Sequence, residues 1–94
     1  MSNDPMIVNA KRQEDFDKVL ISRTAQIEKL VRQFDVQLGK LGKDWQDVQF
    51  EEFRRQAISM RRAIEKFTAE SRKVSGNLKQ SIKLAEDYSK IKEG

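Results

Sequence analysis

The sequence predicts an all-α fold: a two-helix antiparallel hairpin that dimerises into a four-helix bundle. Three observations carry this expectation. The single proline is Pro5, so nothing from Met6 onwards removes an amide donor from a helix. Apolar residues recur at helical spacing along almost the whole chain. One short segment, Gly39 to Trp45 (GKLGKDW), holds two glycines three apart, which can end one helix and turn the chain.

The length of 94 residues suits one small domain. Domains of this size bury a modest share of their surface and lean on disulfides, metals or partners. Cysteine and histidine are both absent. That removes disulfides, thiol and imidazole chemistry, and a zinc site built from the usual soft ligands. An apolar share of 37% against a charged share of 36% is thin for a monomeric globule and natural for exposed helices.

Taken in order, residues 1–9 are expected to form a flexible arm. Asp4-Pro5 offers one helix start. The preferred start is Asn9 as cap, with Ile7 and Val8 packed beside it. The first helix is expected over residues 10–41. Phe16, Leu20, Ile27, Leu30, Val31, Phe34, Leu38 and Leu41 make its apolar stripe, widened by Val19 and Ile21 and interrupted by Arg23 and Thr24. Glu14–Lys18 and Glu28–Arg32 are spaced as solvated pairs one turn apart. The turn is expected at 42–44, with Asp44 as the next N-cap and Asp47 inside the first turn.

The second helix, expected over 45–90, is the clearest feature. Phe53, Ala57, Met60, Ile64, Phe67, Ser71, Val74, Leu78, Ser81, Ala85 and Tyr88 alternate steps of four and three, a heptad seam. Arg54, Arg55, Arg61, Arg62, Glu65, Lys66, Glu70, Arg72 and Lys73 flank it. Gly76 lies off the seam and costs about 1 kcal/mol of helix propensity. A second helix longer than the first leaves a tail carrying Leu78, Ile82, Leu84, Tyr88 and Ile91 without a partner in the monomer. The hairpin of residues 10–94 would also leave its stripe uncovered, and a second copy is the simplest cover. Leu30, Phe34, Phe53, Met60, Ile64 and Phe67 are expected in the middle of the buried seam, as the dimer or partner interface. A charge at Ile64 or Phe67 should then destroy the assembly, whereas changes at Arg61 or Glu65 should hardly matter.

The protein is not expected to be an enzyme, and no cofactor, metal or small-molecule substrate is expected. Glu51-Glu52 and Glu86-Asp87 are adjacent pairs that point in different directions, with no pocket to perturb them. A di-metal bundle site needs inward acids and a Glu-x-x-His. Neither Ser71 nor Ser81 has a base to activate it. The basic pairs Arg54-Arg55 and Arg61-Arg62 repeat two turns apart and suggest a stripe for phosphates. The interleaved Glu51, Glu52, Glu65 and Glu70, and a net charge of only +4, favour an ordinary solvated flank, so nucleic acid is not expected as a partner. No apolar run is long enough to span a bilayer. The start, MSNDPMIV, lacks a basic region followed by a long apolar core. Synthesis in the cytoplasm is expected, with export by a route that needs no such signal left open.

Trp45 at the turn, the run Trp45-Gln46-Asp47-Val48 and the following Phe53 carry a family likeness. With the chain length and the helix–turn–helix layout, the chain resembles the WXG family of small type VII secretion proteins (the early-secreted-antigen-like proteins). Asp47 stands where that family has its turn glycine. Tyr88 is followed four residues on by Lys92, with the acid Glu93 one place late for the family's export signal. The resemblance implies a hairpin that dimerises head to tail, and membrane contact only through a secretion machine. Trp45 then either plugs the end of the hairpin or touches a secretion partner. Tyr88 is either a seam residue or a C-terminal recognition residue. The alternative reading is an adaptor or chaperone hairpin that binds a helical segment of a larger client, ordering as it does so.

Overall fold

A chain without proline beyond its fifth residue keeps its helices long. The computed structural model describes residues 5–93, with side-chain surroundings from Asn9 to Ile91. Two helices, α1 (Pro5–Asp44) and α2 (Val48–Glu93), are joined by Trp45-Gln46-Asp47 and fold back on each other as a hairpin. The molecule measures 70 × 16 × 15 Å. At 1.5 Å per residue, α2 alone accounts for that length at about 69 Å.

α1 exceeds its expected bounds at both ends, and α2 is shifted three residues toward the C-terminus. α1 starts at Pro5, the start that Asp4-Pro5 offered, and Asn9 is helical. Residues 1–4 of the expected arm lie outside the described residues. α1 also runs through Gly39 and Gly42 to Asp44, three residues past the expected stop. Neither glycine adopts a positive φ, so neither turns the chain. A glycine in a helix costs about 1 kcal/mol and does not by itself end it. α2 starts at Val48, later than expected, because Asp47 is its cap: Oδ1 of Asp47 accepts from the Phe50 amide at 2.9 Å. Asp44 is the last residue of α1.

The register of the pairing, through α1 residues already expected to be helical, leaves α2 without a long unpartnered tail. Lys79 Nζ reaches Asp17 Oδ2 at 3.0 Å, and Ala10 shares a cleft with Ala85 and Ser89. α2 is therefore matched by α1 almost to its end.

Half of the expected α2 seam lies between the helices: Ala57, Ser71 and Ala85 are buried, and Ile64 and Leu78 are half-buried. The other half is rotated by one residue. Arg61, Thr68, Ser75 and Ile82 turn inward, while Met60, Phe67 and Val74 stay exposed. On α1, Asp17 and Thr24 are buried on the same column as the half-buried Val31 and Leu38. The interior is thus lined by small hydroxyl residues, each answered locally. Thr24 Oγ1 donates to the Leu20 carbonyl (2.7 Å), Thr68 Oγ1 to that of Glu65 (2.9 Å), and Ser71 Oγ to that of Phe67 (3.0 Å). Small side chains let the helices approach closely, and hydroxyls satisfied within their own helix carry no burial penalty.

Ion pairs close one side of the hairpin. Arg61 Nη1 lies 3.1 Å from Asp35, Arg72 Nη2 2.6 Å from Glu28, and Lys79 Nζ 3.0 Å from Asp17. Glu14–Lys18 pairs along α1 at 3.3 Å as expected, but Glu28 crosses to Arg72 and does not pair with Arg32. Arg61 is correspondingly a cross-helix residue, contrary to the expectation that it stands idle on a solvated flank.

Gly76 lies on the outer side of α2 with nothing within 4 Å of an added Cβ. Gly76→Ala is expected to raise stability by about 0.5–1 kcal/mol, read as a higher thermal midpoint with unchanged association.

Candidate functional site: an open apolar face with an aromatic turn

The side of the hairpin opposite the ion pairs is built from two columns at seven-residue spacing. α1 contributes Leu20, Ile27, Phe34 and Leu41; α2 contributes Phe53, Met60, Phe67, Val74, Ser81 and Tyr88. Leu30 and Phe16 border them. Leu30 is 62% exposed, Phe67 58%, Met60 51% and Phe53 40%, while Phe34 and Ile64 are half-buried at the base. Between the columns runs an open cleft of about 270 Å³ lined by Ile27, Leu30, Val31, Phe34, Met60 and Ile64, with the Arg61 side chain at its floor.

The six expected interface residues are thus brought together on one surface. Within a single chain that surface is open; it is not the interior of the hairpin. The interior is correspondingly poor. Among the described residues only Phe50, Ala57 and Ala85 are buried apolar side chains. A hairpin with so little apolar burial is marginal alone, and its largest apolar resource faces outward.

Tyr88 continues the α2 column toward the far end and is 46% exposed. Trp45 stands at the other end, half-buried against Phe50 (ring centroids 5.5 Å apart, edge-on) and Phe53 (5.9 Å). The Phe50 ring fills the space that a side chain at Gly42 would occupy, with ring carbons 2.9 and 3.2 Å from an added Cβ. The turn is built as one unit: Gly42 admits Phe50, Phe50 carries Trp45, and Asp47 fixes where α2 begins. Phe50 was not among the expected seam residues, although it lies seven residues before Ala57 on the same column. Asp47→Ala removes the cap and is expected to cost about 1 kcal/mol, read as a lower thermal midpoint.

The far half of the interior holds a buried carboxylate. Asp17 is 5% exposed, and its Oδ1 has no hydrogen-bond partner among the described residues. The Ser75 hydroxyl, and then the Lys79 ammonium, hold its pKa below the ordinary value, while burial pulls the other way. A carboxylate whose folded pKa is lower than its unfolded one stabilises the fold above the unfolded value, about 3.9. That contribution is lost as pH falls through the folded value. Helix pairing is expected to weaken below about pH 4. Thermal melts from neutral to acid pH should show this for the wild type and a flatter profile for Asp17→Asn.

These features define a class of protein: a two-faced helical hairpin, charged along one side and apolar along the other, with an aromatic plug at its turn. No protein-family pattern, curated protein or solved structure matches the chain. No described helix is long and apolar enough to cross a membrane.

Proposed function

We propose that this protein is a non-enzymatic interaction module that works by self-association, two hairpins burying their open faces to form a four-helix bundle. The observation that carries the reading is the continuous exposed column Phe53, Met60, Phe67, Val74 beside Leu20, Ile27, Leu30 and Phe34. From Phe53 to Val74 the exposed column runs about 32 Å, and to Tyr88 about 53 Å, at 1.5 Å per residue. A second copy supplies an apolar face of equal length, which few single segments do. The resemblance carried by Trp45 at the turn, with Asp47 in place of the family glycine, extends the reading to a substrate or partner of a type VII-like secretion system. Trp45 at the turn, and the end of α2 beyond the paired layers around Tyr88 and Ile91, are the candidate surfaces for that machine.

A second reading, an adaptor that clasps one helix of a larger client, is favoured by the cleft between Ile27–Phe34 and Met60–Ile64, which has the form of a groove. Sedimentation of the purified chain over a wide concentration range separates the two. Self-association predicts twice the chain mass of 11.0 kDa. A particle of 11.0 kDa at every concentration would refute it and leave the client-binding reading.

A further inference from the structure

The open face differs along its length, and that difference gives it a direction. The ion pairs Asp17–Lys79 and Asp35–Arg61 fix which residues of α1 and α2 lie at one height. To within about half a turn, Leu41 is level with Phe53, Phe34 with Met60, Ile27 with Phe67, Leu20 with Val74, and Gln13 with Ser81. The face is apolar from the Leu41–Phe53 layer to the Leu20–Val74 layer, with one ring in each of the first three layers, and polar at the Gln13–Ser81 layer.

We propose that two copies meet on this face pointing the same way, turns together, with α1 of each stacked on α2 of the other. This rests on the self-association reading above and fixes its geometry, opposite to the head-to-tail order that the WXG resemblance implies.

Three observations lead to it. The first is layer matching. With the two-fold axis along the hairpin, every layer meets its own copy, so the polar Gln13–Ser81 layer meets a polar layer. Head-to-tail pairing about the mid-length would set that layer near the partner's Phe34 and Met60, leaving polar groups buried against rings. The second is the polar character of one layer. Gln13 Oε1 is shielded within its own hairpin, so it is the half-buried Gln13 amide and Ser81 hydroxyl of that layer that same-direction pairing sets against their own copies. A polar residue of this kind in an apolar seam sets register and orientation.

The third is charge. Each of the two columns is bordered on the outside by another, Phe16, Arg23, Leu30 and Gln37 on α1 and Ala63, Glu70, Asn77 and Leu84 on α2, and Arg23 and Glu70 are the charged residues there. They lie at nearly the same height, close to mid-length, on different helices. Stacking α1 on the second copy's α2 sets Arg23 beside Glu70 twice. Head-to-tail pairing stacks α1 on α1 and sets Arg23 beside Arg23 and Glu70 beside Glu70, which is repulsive.

The chain has no cysteine, so one introduced at the turn is labelled cleanly. The test is the spin–spin distance between nitroxides on Gln46→Cys in the assembled protein, with the mass measured on the same sample. The expected result is a dimer with labels no more than about 30 Å apart, two hairpin thicknesses. A dimer with labels near the full 70 Å length would overturn the orientation and leave self-association standing. A monomer would sink both. Charge reversal gives an independent reading that does not depend on the label. Arg23→Glu or Glu70→Arg alone should weaken association roughly tenfold, and the two together should restore it. Head-to-tail dimers would show no such rescue.

Discussion

Under the proposed self-association, replacing Phe67 with aspartate is expected to leave the protein monomeric at concentrations where the unaltered chain pairs. Phe67 is 58% exposed in the single hairpin, at the centre of the open α2 column and level with Ile27. The substitution therefore removes little from the hairpin itself. In the assembly it deletes a buried ring from each copy, about 3–5 kcal/mol where burial is complete, and adds a carboxylate with no partner in an apolar layer. Since two copies of the change enter one dimer, the loss exceeds what most small dimers can absorb. Mass by light scattering reads the effect, and helix content by circular dichroism shows whether the single hairpin survives. Ile64→Asp should be more severe in the second reading, because Ile64 lies at the base of the cleft and touches both the hairpin interior and the open face.

Phe50→Ala is expected to have the second largest effect, and of a different kind. Phe50 is 6% exposed, the largest side chain in the hairpin interior, and sits against Gly42, Trp45 and Phe53. Truncating it opens a cavity at the turn and frees the Trp45 ring, at a cost of about 3 kcal/mol. The expected readout is a large fall in thermal midpoint together with a red-shifted Trp45 emission. If Trp45 emission and stability both stayed at wild-type values, the aromatic plug would not be what holds the turn.

The hairpin was legible in the sequence because both helices carry regular apolar spacing and no proline interrupts them. The heptad in α2 was legible too, but not which of its columns faces α1. Apolar spacing reports that a face is covered by something, and it is silent on whether the cover is the same chain. Here the inward column is Arg61, Thr68 and Ser75: the guanidinium donates to Asp35, the Thr68 hydroxyl donates to the Glu65 carbonyl, and the Ser75 hydroxyl accepts from Lys79. Residues that look like a solvated flank can therefore line an interior, provided their polar atoms find partners locally. Met60, Phe67 and Val74 are released to the outside by that choice.

The turn misled in a related way. Gly39 and Gly42 resemble a helix stop, yet Gly42 is needed for the close approach of the Phe50 ring and keeps a helical backbone. Asp44 and Asp47 are both credible caps by spacing, and the hydrogen bond to the Phe50 amide decides for Asp47. Trp45 and Asp47 were visible as turn residues. Phe50, which binds them into one unit, became visible only when the ring contacts were in place.

If the open face is the one covered when two copies meet, Met60 is its natural reporter. Met60 is 51% exposed in the single hairpin and sits midway along the α2 column. Its rate of oxidation by dilute peroxide, followed by peptide mass spectrometry, should fall severalfold as concentration rises through the range where the mass doubles. A Met60 rate that stays constant while the mass doubles would place the contact elsewhere on the molecule and contradict the account.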